Sequence, residues 1–491
     1  MHTAADLPGA RVLVAGARVT GAAAGRALLE LGARVTVTDG AAAQLEVLSG
    51  TGMELLAGLH TPPTGTDLVV TSPGYPPDAP LLLAAARGGI PVIGDVELAW
   101  WLDRARARPA DWLVVTGTNG KTTTVGMLQC ILDAAGLDAV ACGNVGLPVV
   151  DAVRAGHDVL AVELSSFQLH WARSLRPRAA TVLNLSADHL DWHGSMEAYA
   201  AAKASVYAQG TTRVFNADDE GSIRLAAGGV GFTLAEPAPG QLGVRPGEHG
   251  GVLVDRAFGA PSDDAVPSDD AVPSDDAVPL DDAVPLDDAV PLARVEEVRP
   301  PGSHNVANAL AAAGLARAHG VPPGAVSAGL AAFTPGGHRS VPVGEHAGVR
   351  YVDDSKATNP HAARAALLAH ARVVWVAGGL LKGADVDELV AVTAPRMAGA
   401  VLLGADRSVI AAALARHAPD VPVRVVDSGD DGVMTEVVRV AAALARPGDV
   451  VLLAPAAASM DMFRDYAHRG RAFAAAVAEL TGGPQVGGGS W

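Results

Sequence analysis

Residues 112–128 read WLVVTGTNGKTTTVGML. The first five are an apolar, β-rich run; Gly117-Thr118-Asn119-Gly120-Lys121-Thr122 follows, and a helix-forming segment opens at Thr122. A strand, a glycine turn and a helix in that order aim backbone N–H groups at one point, where the helix N-terminus also favours a phosphate. Lys121 is placed to reach the β/γ-phosphates of a nucleotide, and Thr122, followed by Thr123, to help hold Mg²⁺. Strict Walker spacing asks for glycine at 115, where this chain has Val115, so the context of the loop and not its pattern identifies it.

The same rhythm extends to both sides. Strands are expected at 11–15 (RVLVA), 34–38 (RVTVT, ending at Asp39) and 67–71 (DLVVT), with a helix over 21–31. Further strands fit 159–163, 180–184, 372–377, 400–404, 423–427 and 449–455, and a helical run begins at Asn305. Alternation of this kind predicts parallel sheets with helices on both faces. Residues 100–109 read as a connector and FTPGGH at 333–338 as a second boundary. The fold class is therefore α/β, with three consecutive α/β domains over 1–105, 106–335 and 336–491, in line with the length of 491 residues.

The stretch from about 228 to 300 has no readable period, and inside it residues 262–291 repeat SDDAVP three times and LDDAVP twice. Proline at every sixth position beside paired acids excludes a packed helix or central strand, so a solvated loop is expected. The repeats hold ten Asp and no base, so without them the net charge of −17 becomes −7. That balance argues against a nucleic-acid partner. Two cysteines in a chain this long indicate a reduced, cytoplasmic protein. No basic-then-apolar leader and no long apolar span stands in the sequence, so neither secretion nor membrane insertion is expected.

Of the 36 basic residues only Lys121, Lys203, Lys356 and Lys382 are lysines. A chain that has drifted so far toward arginine keeps lysine where a guanidinium cannot serve. Other polar clusters follow expected strands. Glu163 opens ELSSFQL as a candidate Mg²⁺ ligand, and His189 in NLSADHLD is a second. GARVTG at 16–21 lacks the middle glycine of a dinucleotide loop, although Asp39 lies where a ribose partner belongs. DDSKATN at 353–359 suits a zwitterionic or dicarboxylic substrate, or else caps a helix. On these residues alone a ligase, a P-loop switch NTPase and a nicotinamide-dependent oxidoreductase all remain open.

Taken in order, TGTNGKTT, ELSSFQL, NLSADHLD, AAKASVY, PGSHNVANALAA, GGHR, DDSKATN, GGLLKGAD and APAAASMDMF resemble the Mur ligase family over nearly the whole chain. The resemblance implies a Rossmann-like N-terminal domain, a P-loop ATPase-like central domain and a Rossmann-like C-terminal domain. DDSKATN points to the branch that joins D-glutamate to UDP-N-acetylmuramoyl-L-alanine, with ATP and Mg²⁺ as cofactors and a monomer as the expected state. In that chemistry ATP phosphorylates the substrate carboxylate, and the amine attacks the acyl-phosphate through a tetrahedral intermediate. A different amino acid, such as L-glutamate, stays open.

Residue by residue, the resemblance carries over as follows. Lys121 and the loop Gly117–Thr123 match the ATP site; Thr122, Glu163, His189 and Lys203 match metal positions, with Lys203 as the lysine that becomes carbamylated. Asn305 (beside His304), Arg339 and Asp354 match nucleotide contacts, and Lys356 a group at the reacting centre. Val19, Thr20, Asp39, Ser72, Asn144 and His189 match positions around the UDP-muramoyl moiety. Thr358, Lys382, Ser459 and Tyr466 match glutamate positions, where the family often has Phe in place of Tyr466. Residues so far apart in sequence predict domain closure.

Overall fold

Val12, Leu13, Val14 and Ala15 are all buried. Strands covered on both faces belong in a parallel sheet between helices. In the computed structural model, which describes residues 3–247, 250–259, 289–427 and 432–482, that sheet comprises β1 (Arg11–Ala15), β2 (Arg34–Thr38), β3 (Glu54–Leu55), β4 (Leu68–Thr71) and β5 (Val92–Gly94). All its pairings are parallel, in the order β3-β2-β1-β4-β5.

The second sheet is built on β6 (Asp111–Thr116), with β7 (Ala139–Gly143), β8 (Val159–Glu163), β9 (Ala179–Val182), β10 (Thr212–Asn216) and β11 (Val230–Phe232). It continues through β12 (Gln241–Gly247), β13 (Gly250–Asp255) and β14 (Val290–Arg294), in the order β14-β13-β12-β11-β10-β9-β6-β8-β7. Only the β12–β13–β14 pairings are antiparallel. The third sheet has β15 (Val341–His346), β16 (Val349–Asp353), β17 (Val373–Gly378), β18 (Met397–Leu403), β19 (Val423–Val425) and β20 (Val450–Leu453). Its order is β15-β16-β20-β17-β18-β19, antiparallel at β15–β16 alone.

The three sheets fall into two compact units, 1–298 with 306–333 and 299–305 with 334–491. The first two sheets share a unit because side chains lock them together. Trp171, just beyond ELSSFQL, lies in the apolar cluster of Leu13, Val69, Leu81 and Ala85 beneath the first sheet. Buried Glu97 accepts from Trp101 Nε1 at 2.9 Å, Ser174 N at 2.9 Å and Ser174 Oγ at 2.5 Å. Arg154 adds an ion pair to Glu30.

Two sequence expectations need correction. The connector expected over 100–109 is helical to Arg104, within the helix Asp95–Arg104. Trp100 and Trp101 are buried there, so apolar packing carries the helix up to the arginine alternation. The acidic loop expected over 262–291 ends too late. Residues 260–288 lie outside the described residues, but Val290 and Pro291 of the last repeat already pair with β13. Proline is tolerated there because β14 is an edge strand.

The patternless region thus ends in an antiparallel meander, and a buried ion pair ties it down. Arg317 Nε donates to Asp255 Oδ2 at 2.8 Å, and its other nitrogens donate to Val321 O and Gly259 O. Asp255 Oδ1 accepts from the Ala257 and Phe258 N–H groups. Removing one partner of a buried pair strands the other charge. Arg317→Ala should therefore cost about 3–5 kcal/mol of stability by urea denaturation, and Asp255→Asn/Arg317→Met clearly less than their sum. Deleting residues 262–285 removes four whole repeats and spares β14. Its melting temperature should move by less than about 2 °C, with the catalytic rate unchanged.

Candidate active site

The phosphate loop leaves the C-terminal end of β6 and enters the helix Lys121–Ala134. Gly120 sits at φ 86°, and a Cβ there would lie 2.4 Å from Asn308 Oδ1, so both backbone and space require glycine. Asn184, following β9, clasps the loop: its Oδ1 accepts from Asn119 N at 2.9 Å and its Nδ2 donates to Asn119 O at 3.2 Å. Thr118 Oγ1 lies 3.0 Å from Tyr199 Oη and accepts from Ser186 N at 3.0 Å. Lys121 Nζ donates to Gly117 O and Thr118 O, both at 2.9 Å, so its charge stands over the loop. Thr122 and Thr123 follow in the first helical turn.

Lys203 reaches the same loop from the helix Met196–Ala204. Its side chain is buried, with the residue 2% exposed. Nζ donates to Gly117 O at 2.8 Å and to Thr116 Oγ1 at 3.5 Å, and stands 4.7 Å from the Tyr199 ring centre. Burial first, and the Lys121 charge second, hold its ammonium well below the ordinary lysine range, against the pull of Asp188. Burial and a neighbouring like charge thus both disfavour its charged form.

Glu163 ends β8 and is buried, where Asn144 Nδ2 donates to its Oε1 at 2.9 Å. Asn144, expected at the UDP-muramoyl moiety, is thus a direct partner of the candidate metal ligand. His189 takes φ 54° at the start of the helix Leu190–His193, its ring 4.6 Å from that of Phe167 and its Nδ1 3.6 Å from Asp188. Among the described residues no group of three His, Cys, Asp or Glu could hold a metal ion. Of the expected metal residues, Thr122, Glu163 and His189 carry oxygen or ring-nitrogen donors of the kind a divalent cation accepts, whereas an ammonium on Lys203 would repel one.

At the first sheet, Asp39 Oδ2 accepts from Ala17 N and Oδ1 from Ala41 N, both at 2.9 Å, so the carboxylate shapes the turn around Val19 and Thr20. Ser72 Oγ is buried without a hydrogen-bond partner among the described residues. Burying a hydroxyl unpaired is costly, so this atom fits a ligand contact. Tyr75, which the sequence did not single out, stands close by; burial, then Asp39, raises its hydroxyl pKa.

The second unit carries the remaining expected residues: Asp354, Lys356 and Thr358 follow β16, Lys382 follows β17 and Ser459 follows β20, while Arg339 precedes β15, Tyr466 opens the helix Tyr466–Thr481 and Asn305 lies at the start of Ser303–His319. Ser355 Oγ donates to Tyr466 O at 2.7 Å, and Lys356 Nζ stands 5.1 Å from the Tyr466 ring centre. That bond uses a backbone carbonyl, so Tyr in place of Phe leaves it intact. Burial pushes the Asp354 carboxyl up to about 7, with Arg339 opposing and Asp353 adding to the rise. Thr358 N donates to Lys356 O at 2.8 Å, and Asn359 caps the helix Pro360–Leu368. DDSKATN therefore presents charge and caps a helix at once. Leu380 and Ala458 exchange backbone bonds, drawing the Lys382 turn beside Ser459. Asn305 Nδ2 lies 3.0 Å from His304 Nε2, and burial, followed by His361, lowers the His304 pKa to about 4.

Sequence reasoning missed Arg469. It is 1% exposed. Its guanidinium donates to Ser355 Oγ and O, Gly378 O and Ala457 O, so one side chain ties together all three loops. Nothing in the sequence marks it among 32 arginines. Asn308 and Tyr199 were also missed, although both lie in or near motifs already singled out.

A model of the Mur ligase middle domain matches residues 115–229, and one of the Mur ligase glutamate ligase domain matches residues 338–457. The UDP-N-acetylmuramoylalanine–D-glutamate ligase of Streptomyces coelicolor is 52% identical over 495 residues, covering 97% of this chain and 99% of the relative. That of Thermobifida fusca is also 52% identical, over 97% of this chain and 100% of the relative. Among solved structures, the UDP-N-acetylmuramate-alanine ligase MurC of Thermotoga maritima aligns with a TM-score of 0.56 at 17% identity, covering 94% of this chain and 98% of that one. MurF of Acinetobacter baumannii aligns with a TM-score of 0.53 at 18% identity, over 79% and 82%. Such identities speak for the fold alone.

Gly120→Ala tests the loop itself. Left-handed strain of about 1–2 kcal/mol and the clash with Asn308 should weaken ATP binding at least tenfold by calorimetric titration, with secondary structure retained.

Proposed function

This chain belongs to the Mur ligase family, and from that premise we infer that it joins D-glutamate to UDP-N-acetylmuramoyl-L-alanine with cleavage of ATP, in peptidoglycan precursor synthesis. The observation that carries this function beyond a P-loop switch is the second, buried lysine on the phosphate loop. A switch needs one lysine for phosphate; Lys203 Nζ, held against Gly117 O, is the amine that a carbamate requires.

Carbamylation joins the Lys203 amine to CO₂ and releases one proton, leaving an anionic group to act with Glu163 and His189. Those groups, with Thr122, would hold Mg²⁺, which supplies charge neutralisation for the phosphates. Lys121 and the loop N–H groups of Gly117, Thr118, Asn119 and Gly120 hold the nucleotide, and by family resemblance Asn305, Arg339 and Asp354 are also assigned to nucleotide binding. Val19, Thr20, Asp39 and Ser72 bind the UDP-muramoyl substrate, with Asn144 and His189 completing that side. Lys382 pairs with a glutamate carboxylate; Thr358, Ser459 and Tyr466 fix the amino acid, and Lys356 steadies the reacting carbonyl. The functional division is 1–105 for the UDP substrate, 106–335 for ATP and 336–491 for the amino acid. No helix among the described residues is long and apolar enough to cross a membrane. Both cysteines are free thiols, in keeping with a reducing cytoplasm.

The purified chain should release phosphate only when ATP, UDP-N-acetylmuramoyl-L-alanine and D-glutamate are all present, and L-glutamate should not replace D-glutamate. Phosphate release without either acceptor, or equal rates with both enantiomers, would overturn that specificity. Lys203→Arg should lower kcat at least about 100-fold, because guanidinium cannot form the carbamate. A wild-type rate in that variant would remove Lys203 from the metal site.

A further inference from the structure

GGHR contributes Arg339 to the site, but its histidine has no role in the chemistry described so far. We propose that His338 is the base that takes a proton from the α-ammonium of glutamate, which rests on the ligase function above. His338 Nδ1 lies 2.6 Å from Oδ2 of Asp353, the last residue of β16. Asp353 is 2% exposed, and its other oxygen accepts from Ser355 N at 2.9 Å. A carboxylate only accepts, so Nδ1 carries the hydrogen and Nε2 keeps the ring's lone pair. The buried Asp353 carboxylate orients the ring, as an Asp behind a catalytic His does elsewhere.

Three further observations mark this pair as built. His338 takes φ 62°, a left-handed conformation that non-glycine residues hold only where the surroundings enforce it. A Cβ on Gly470 would fall 2.1 Å from His338 Nδ1 and 2.6 Å from Asp353 Oδ2, so the helix passing behind must present glycine there. The ring lies 6.4 Å from that of Tyr466, a proposed glutamate contact, and His338 O accepts from Lys356 N at 3.2 Å. The side chain is 19% exposed, open enough to meet a substrate.

The step balances. His338 Nε2 removes one proton from –NH₃⁺, giving –NH₂ and imidazolium. The amine lone pair forms the C–N bond at the acyl-phosphate carbonyl. On collapse the C–O bond to phosphate breaks, its electron pair leaves on the phosphate oxygen, and the second amine proton ends on phosphate.

The test compares two nucleophiles in the intact enzyme. Glutamate must lose a proton before it attacks, whereas hydroxylamine is largely uncharged at neutral pH and needs no base. His338→Gln keeps an N–H for Asp353 but has no basic nitrogen. With ATP and UDP-N-acetylmuramoyl-L-alanine, its kcat for D-glutamate should fall by about 10²–10⁴ with KM for glutamate little changed. Hydroxamate formation from hydroxylamine should stay near the wild-type rate, which also shows that the variant folds and activates its substrate. Ligation by the wild-type enzyme checks the activity separately. A variant that ligates glutamate normally, or loses hydroxamate formation in equal measure, overturns the assignment of the base.

Discussion

Lys203 places a nitrogen where a full positive charge is hard to keep, 2.8 Å from Gly117 O and close to the charge of Lys121. The residue is 2% exposed, and one carbonyl with a distant hydroxyl does not replace the hydration of an ammonium. Both effects disfavour the ammonium relative to the neutral amine. That constraint organises the neighbourhood. Tyr199 lays its ring against the lysine while its hydroxyl meets Thr118, so the same side chain sets both the amine and the loop. Glu163 is steadied by Asn144, and the His189 ring packs tilted against that of Phe167. Glu163, His189 and Lys203 are thus each held by a neighbouring side chain, as metal sites generally require.

The second unit meets a different problem, since its functional groups stand on loops. Its parallel strands end at these loops, the usual place for a binding site in an open α/β sheet. Loops hold geometry poorly unless something rigid spans them. Arg469 does so with four hydrogen bonds from inside the unit, and burial lowers its pKa to about 10 without removing its charge at neutral pH. Left-handed backbone at Lys382 and Ala456 falls on these loops, and at His338 and Ser340 on the segment that leads into β15. Strain of this kind persists where the surroundings over-determine it, and here it coincides with the proposed amino-acid pocket.

Much of the fold was legible because parallel strands buried on both faces leave continuous apolar runs. β1, β2 and β8 lie where RVLVA, RVTVT and VLAVE predict them. Legibility failed where local signals compete. The Trp100–Trp101 pair extends a helix into a stretch that its arginines made look like a connector, and Gly and Pro in β12 (QLGVRPG) mask strand alternation. The site divides in the same way. Residues that carry chemistry stood out by type and spacing, while Arg469, Asn308 and Tyr199 did not, because their roles are to hold other residues in place.

By itself the sequence determined the α/β class, the phosphate loop and the four lysines, since short-range pattern and residue chemistry are local properties. Only the tertiary structure decided that the first two sheets share a unit through Trp171, that Asp255 and Arg317 anchor the end of the repeat region, and that His338 stands on Asp353. The physical reason is range. Burial, a stranded charge and a proton-sharing pair each depend on what long stretches of chain bring together, and no spacing within a motif encodes that.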